Sequence, residues 1–249
     1  MKKFCIDPGH GGNSIGASYK GRKEQDDCLR LSLAVKEILL TQKDVEVMLS
    51  REDDTNPSLE DRAREANAWG ADYFISVHRN AFAPNKAQGV EAWVFSKVVV
   101  GGITFSQAEE IVNDLCAAAG FVNRGVKLGA PSYTDYAVNR LTNMSSCLLE
   151  VGFIDSDSDN AIFDAYFADI ALSIAKSLLK NVGLEYIPPV IVGDVDGDGK
   201  VTAADARLIL RASVGLEEID LETGDIDGDG KITSSDARAA LRISTGLEE

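Results

Sequence analysis

From residue 3 to about 184, short apolar runs alternate with longer stretches whose apolar positions recur at helical spacing. Residues 3–7 form a compact apolar run. In 25–41, Leu29, Leu33, Val35, Ile38, Leu39 and Leu40 make one stripe, and 45–49 alternate as a strand does. Ser58, with Asp61 three residues on, is placed to cap a helix. Further strands are predicted at 73–77, 89–95 and 147–151, and helices at 104–119 and 160–181. Strands and helices in alternation predict an α/β domain over 1–184, a sheet covered by helices.

The period stops at Glu185-Tyr186-Ile187-Pro188-Pro189-Val190, and 185–192 read as a short stiff linker. From 193 to 249 the chain repeats itself. Gly193-Asp194-Val195-Asp196-Gly197-Asp198-Gly199-Lys200-Val201-Thr202 returns 31 residues later as Gly224-Asp225-Ile226-Asp227-Gly228-Asp229-Gly230-Lys231-Ile232-Thr233. Each copy runs into a helical stretch (205–214 and 236–245) and ends in Gly-Leu-Glu-Glu.

Each repeat places acids at loop positions 1, 3, 5 and 12, glycine at 6 and a backbone carbonyl at 7. The residues are Asp194, Asp196, Asp198, Lys200 and Asp205, then Asp225, Asp227, Asp229, Lys231 and Asp236. Clustered carboxylates suit a hard cation, and two calcium ions are expected. Both loops carry Asp where an EF-hand has Glu, and no helix is expected to enter the first loop, because Pro188-Pro189 precede it. Loop plus exit helix, twice, resembles a type I dockerin module. That resemblance implies a small all-α calcium-binding domain with a cohesin-like partner, or self-association. Its recognition positions would be Ala203-Ala204 and Ser234-Ser235, which differ between the copies. Leu208, Ile209, Leu210, Leu241 and Ile243 are expected to supply most of the core of so short a unit.

The net charge of −15 argues against nucleic-acid binding. Residues 190–249 carry −8 of it, from 14 acidic and 6 basic side chains, so the acidity is concentrated in the repeats. No apolar run is long enough to span a membrane, so no membrane insertion is expected. No signal-peptide core follows Lys2-Lys3. That leaves synthesis in a host cytoplasm with phage-type release, or secretion with a leader removed; an endolysin needs no leader, and this setting is preferred. Cys5, Cys28, Cys116 and Cys147 form no C-x-x-C pair and read as small buried hydrophobes.

The chain has two histidines, each at the end of an apolar run: Asp7-Pro8-Gly9-His10-Gly11-Gly12 and Ser76-Val77-His78-Arg79-Asn80-Ala81. Imidazole is a common metal ligand. Between and after them stand Gly16-Ala17, Gly21-Arg22-Lys23-Glu24, Leu49-Ser50-Arg51, Leu59-Glu60-Asp61-Arg62, Ala66-Asn67, Gly89-Val90-Glu91, Asn123-Arg124-Gly125-Val126-Lys127 and Leu148-Leu149-Glu150-Val151-Gly152-Phe153. In this order and spacing the set resembles the zinc-dependent N-acetylmuramoyl-L-alanine amidases of autolysins and phage endolysins, over roughly residues 3–181.

The resemblance implies a twisted, mostly parallel sheet flanked by helices, with His10, Glu24 and His78 holding one zinc ion and Glu150 as the catalytic carboxylate. It also implies peptidoglycan as substrate, cut at the amide between N-acetylmuramic acid and L-alanine. Two imidazoles and a carboxylate are a catalytic zinc set in their own right. Taken alone, Glu24 in its polar run would be an ordinary solvated helix start. Asp7 and Glu91 are candidates to orient a histidine or to serve structural hydrogen bonds. Arg79 and Asn80 are candidate substrate contacts, and 123–140 a candidate groove wall. The alternatives are a cell-wall-binding protein without activity and a zinc peptidase acting on stem peptides.

Overall fold

A computed structural model describes residues 1–130 and 136–247, in two compact units, Met1–Tyr186 and Ile187–Glu249. In the first, β1 (Lys2–Pro8) leads through a small hairpin, β2 (Ser18–Tyr19) and β3 (Arg22–Lys23), into helix α1 (Glu24–Leu40) and strand β4 (Val45–Leu49). Helix α2 (Leu59–Trp69) follows, started by the Ser58 hydroxyl accepting from the Asp61 N–H and stopped by Gly70 at φ 75°. Then come β5 (Tyr73–Asn80), β6 (Val90–Val94), α3 (Ile103–Ala119), β7 (Asn123–Leu128), α4 (Ala137–Leu141), β8 (Ser145–Phe153), α5 (Asp157–Ala165) and α6 (Phe167–Asn181).

Among the described residues, six strands form one sheet in the order β4-β1-β5-β8-β6-β7, parallel throughout except where β6 meets β8. Alternation along each strand sorts the side chains between two faces. Phe4, Ile6, Ile75, Val77, Leu149 and Val151 join the larger core, which α1, α3 and α6 cover. Cys5, Phe74 and Leu148 face the other way, into a smaller cluster with Ala66 of α2 and Val138 of α4. Cys5, Cys28 and Cys147 are buried and all four cysteines are free. Among the described residues, no helix is long and apolar enough to cross a membrane.

Strands β5 and β8 run past their apolar segments, because both have ladder partners on each side and pairing continues through His78, Asn80 and Glu150. The predicted helix 160–181 is two helices. The Ser156 hydroxyl already starts α5 at Asp157, and Tyr166, at φ −114° and ψ 25°, separates it from α6.

In the second unit, α7 (Ala203–Ala212), α8 (Leu221–Gly224) and α9 (Ser234–Ser244) follow the repeat. Helices α7 and α9 begin two residues before the predicted starts, since Thr202 with Asp205 and Thr233 with Asp236 form capping boxes. Their core is Ala206, Ile209, Ala237 and Ala240, closed by Val195, Val201, Ile219, Ile226 and Ile232. Of the five residues expected there, Ile209 is buried, Leu208 and Ile243 are half-buried, and Leu210 and Leu241 are exposed. Alanines supply three of the four buried apolar positions instead.

Candidate functional site

The chain places β4 on one side of β1 and β5 on the other. Where strand order reverses in this way, the carboxyl ends of the strands open a crevice in which α/β proteins bind ligands. His10 leaves the end of β1, His78 lies on β5, and Glu24 opens α1. All three line a cavity of about 740 Å³, together with Glu150, Leu59 and Val138.

Glu24 spans both imidazoles. Its Oε2 lies 3.2 Å from His10 Nε2 and its Oε1 2.9 Å from His78 Nδ1, and the two rings meet edge to face with centroids 5.0 Å apart. One donor atom from each residue falls within 4.8 Å of the others, a spacing that fits a shared metal ion. Backbone N–H groups of Ala17 (2.7 Å) and Arg79 (3.1 Å) fix the two carboxylate oxygens. Burial alone would raise the Glu24 carboxyl, but hydrogen bonds from the two imidazoles outweigh it and hold it well below the usual carboxylate range.

Two glycines make this approach possible. A Cβ on Gly9 would stand 2.4 Å from His78 Cε1; one on Gly16, at φ +68°, would stand 2.5 Å from Glu24 Oε2 and 2.7 Å from His10 Cδ2. Gly16→Ala is therefore expected to weaken metal binding by about tenfold or more, the scale seen when a ligand's support is lost, as read by competition with a chromophoric chelator.

His10 itself sits at φ 62°, in the left-handed region. Two buried guanidiniums hold its loop there. Arg62 donates to the carbonyls of Pro8 (2.8 Å) and His10 (2.8 Å), and Arg51 to those of Pro8 (3.0 Å) and Gly9 (2.8 Å). Asp7 neutralises Arg62 at 2.6 Å and accepts from Ser50 and Ser76. It thus orients the His10 loop through Arg62 and not by touching an imidazole; His10 Nδ1 pairs with Ser14 Oγ at 3.1 Å. Arg62→Met leaves a buried carboxylate unpaired, and denaturant unfolding should show a loss of about 3–5 kcal/mol.

Glu150 lies within β8, opposite His78 on one side and Glu91 on the other, so the three side chains form a row on one face of the sheet. It is 8% exposed, and its Oε2 is buried with no hydrogen-bond partner among the described residues. Burial first, then the charges of Glu24 and Glu91, push its carboxyl well above the usual range. Such a group, beside a trio spaced to share a metal ion in a cleft, has the character of an acid–base catalyst.

Glu91 accepts from Asn80 Nδ2 and Trp93 Nε1 (3.0 Å each), Arg124 Nε (2.6 Å) and the Lys127 ammonium. It orients Asn80, not a histidine. Asn80 remains on the cavity side with His78, whereas Arg79 points to the opposite face. There the Arg79 side chain, 1% exposed, donates to Asp27 and Asn160 and stacks on Phe163. Arg79 borders the cavity through its backbone, while strand alternation turns its side chain, the expected substrate contact, to the other face. Of the predicted groove wall, Tyr136–Val138 line the cavity, and 131–135 lie outside the described residues.

In the second unit, Asp194, Asp196 and Asp205 in one loop, and Asp225, Asp227 and Asp229 in the other, bring oxygens close enough to share a cation. Asp194 Oδ1 accepts from the N–H groups of Gly197 and Asp198, and its Oδ2 from Gly199, which curls the first loop; Asp225 does the same in the second. Asp205 and Asp236, at position 12, accept from three backbone N–H groups each, including the cap residues Thr202 and Thr233. The shorter acid thus fits a second duty at the helix start.

Residues 4–180 match the family model for N-acetylmuramoyl-L-alanine amidase, and 192–239 match the dockerin type I domain. The chain is 35% identical over 187 residues to the N-acetylmuramoyl-L-alanine amidase CwlM of Bacillus licheniformis, covering 74% of this chain and 70% of that one. It is 34% identical over 186 residues to the endolysin of Bacillus phage SPP1, covering 74% and 67%. The crystal structure of an N-acetylmuramoyl-L-alanine amidase from Clostridium difficile 630 superposes with a TM-score of 0.66 at 33% identity, over 73% of this chain and 96% of that one.

Proposed function

This chain belongs to the N-acetylmuramoyl-L-alanine amidase family, and from that premise we propose that it is a zinc-dependent peptidoglycan hydrolase. It cleaves the amide between the lactyl group of N-acetylmuramic acid and L-alanine. The observation that carries this reading is the unpaired, buried Glu150 oxygen in the row that includes His78, beside a carboxylate that spans two imidazoles.

His10, Glu24 and His78 would hold the zinc ion, since two nitrogens and one oxygen are a catalytic zinc set and Gly9 and Gly16 leave the space the ligands need. When bound, zinc supplies Lewis acidity, polarising a carbonyl and making water a stronger acid. The chain's own residues do the rest. The Glu150 carboxyl takes a proton from water and returns it to the departing amine of alanine, the exchange expected of a carboxyl whose environment keeps it ready to hold a proton. Glu24, held by two backbone N–H groups, stays ionised and does not compete for that proton. Glu91 holds the Asn80 amide toward the cavity, where it can bind the peptide side of the substrate.

In the second unit each loop would bind one calcium ion, through its aspartates and the carbonyl of Lys200 or Lys231. The dockerin module would join the enzyme to a cohesin-like protein or to another copy, keeping it at the cell wall. Digestion of purified peptidoglycan, with fragments identified by mass, tests the activity. The expected products are a free lactyl carboxyl and a new alanine amino terminus without new reducing sugar, lost on zinc chelation and regained on zinc addition. Cleavage within the stem peptide, or cleavage indifferent to chelation, contradicts the reading.

A further inference from the structure

Glu24 and His78 come from separate elements, the first turn of α1 and the end of β5, and nothing in the sequence between them fixes their separation. A second link joins the same two elements behind the site. Asp27 lies one turn along α1 from Glu24, and Arg79 is the residue after His78 on β5. Arg79 Nη1 donates to Asp27 Oδ2 at 2.6 Å, with the two side chains 1% and 8% exposed. Arg22 Nε donates to the same Asp27 oxygen at 2.6 Å, and Arg30 lies 3.9 Å from the other. Arg79 is held in turn by Asn160 Oδ1 at 2.7 Å and the Phe163 ring at 4.2 Å from its guanidinium carbon. On the site side, the Arg79 N–H reaches Glu24 Oε1. The helix start and the strand end are thus tied in front by Glu24 and behind by Asp27.

We infer that Asp27 and Arg79 are positioning residues: their buried ion pair sets the separation of Glu24 and His78, and with it the metal affinity of the site. The inference rests on the metal-site reading given above. Arg79 and Asp27 together carry no net charge, so the pair adds little attraction for a dication at the trio. The pair's value to the site is geometric.

The test is zinc affinity by chelator competition in the full chain, with the visible spectrum of the cobalt-loaded protein as a readout of coordination geometry and thermal melting of the metal-free protein as a control. Asp27→Asn should bind zinc about 10–100-fold more weakly, the range for losing a residue that orients a ligand, and its cobalt bands should shift. Arg79→Lys keeps the ion pair and should stay much closer to the parent. The double variant Asp27→Asn, Arg79→Met removes both charges, leaves neither buried alone, and should fold yet still bind zinc weakly. Parent-like affinity and spectrum in the double variant overturn the inference. So does failure of all three variants to fold, because the pair would then serve the fold and not the site. A parent protein that binds no zinc sinks the metal-site reading itself, a distinguishable result.

Discussion

Glu150→Gln is expected to abolish amide hydrolysis, by roughly 10²–10⁴-fold, the contribution of a positioned acid–base group, while zinc stays bound. The substitution keeps the size and planarity of the side chain and removes the proton-carrying capacity proposed for it. Metal binding should survive, because Glu24 and not Glu150 bridges the imidazoles. Stability should be unchanged or higher: the carboxyl is buried, faces the charges of Glu24 and Glu91, and has an unpaired oxygen, so a neutral amide relieves an unfavourable site. The rate of release of new amino groups, zinc content and the melting midpoint are the three measurements. A Gln variant that hydrolyses as fast as the parent would remove Glu150 from the chemistry and favour a role in binding alone.

The second large effect concerns the C-terminal unit. Removing calcium, with zinc resupplied, is expected to unfold the repeats and leave the amidase unit folded and active. The second unit's buried apolar side chains are three alanines and Ile209, and each loop gathers several carboxylates that repel one another without a cation. An ion at a thousandfold its Kd adds about 4 kcal/mol per site, enough to decide whether so small a core folds. Hydrogen exchange should show α7 and α9 losing protection while β1, β5 and β8 keep theirs. Protected α7 and α9 after calcium removal would show that the alanine-lined core suffices.

The strand–helix alternation was legible because apolar period is imposed by burial, and burial governs most of the first 184 residues. His10, His78 and Glu150, which the structure gathers at one cavity, stand out in the sequence because histidine is rare here and the carboxylate at 150 follows an apolar run, whereas Glu24 is marked only by the family resemblance. The direction of the Arg79 side chain takes one further step to read: along β5, neighbours of His78 must face the other side. The roles of Arg51 and Arg62 were hidden for a different reason. Their motifs stood out, but they act on the backbone carbonyls of Pro8, Gly9 and His10, and no sequence pattern marks which carbonyl an arginine will reach across more than 40 residues. Gly9 and Gly16 were visible as glycines, yet the atoms they make room for belong to distant elements. In the repeats, Thr202 and Thr233 were the available signal for earlier helix starts, since each precedes an acid by three residues.

The proposed chemistry requires one cation held by His10, Glu24 and His78, with Glu150 beside it and unbound. Anomalous diffraction from zinc-soaked crystals at the zinc absorption edge tests this directly. The predicted result is a single strong peak in the first unit, about 2.0–2.2 Å from a ring nitrogen of each histidine and from a Glu24 oxygen, with Glu150 outside bonding distance. A peak elsewhere in that unit, no peak at all, or a Glu150 oxygen in place of Glu24 would contradict it.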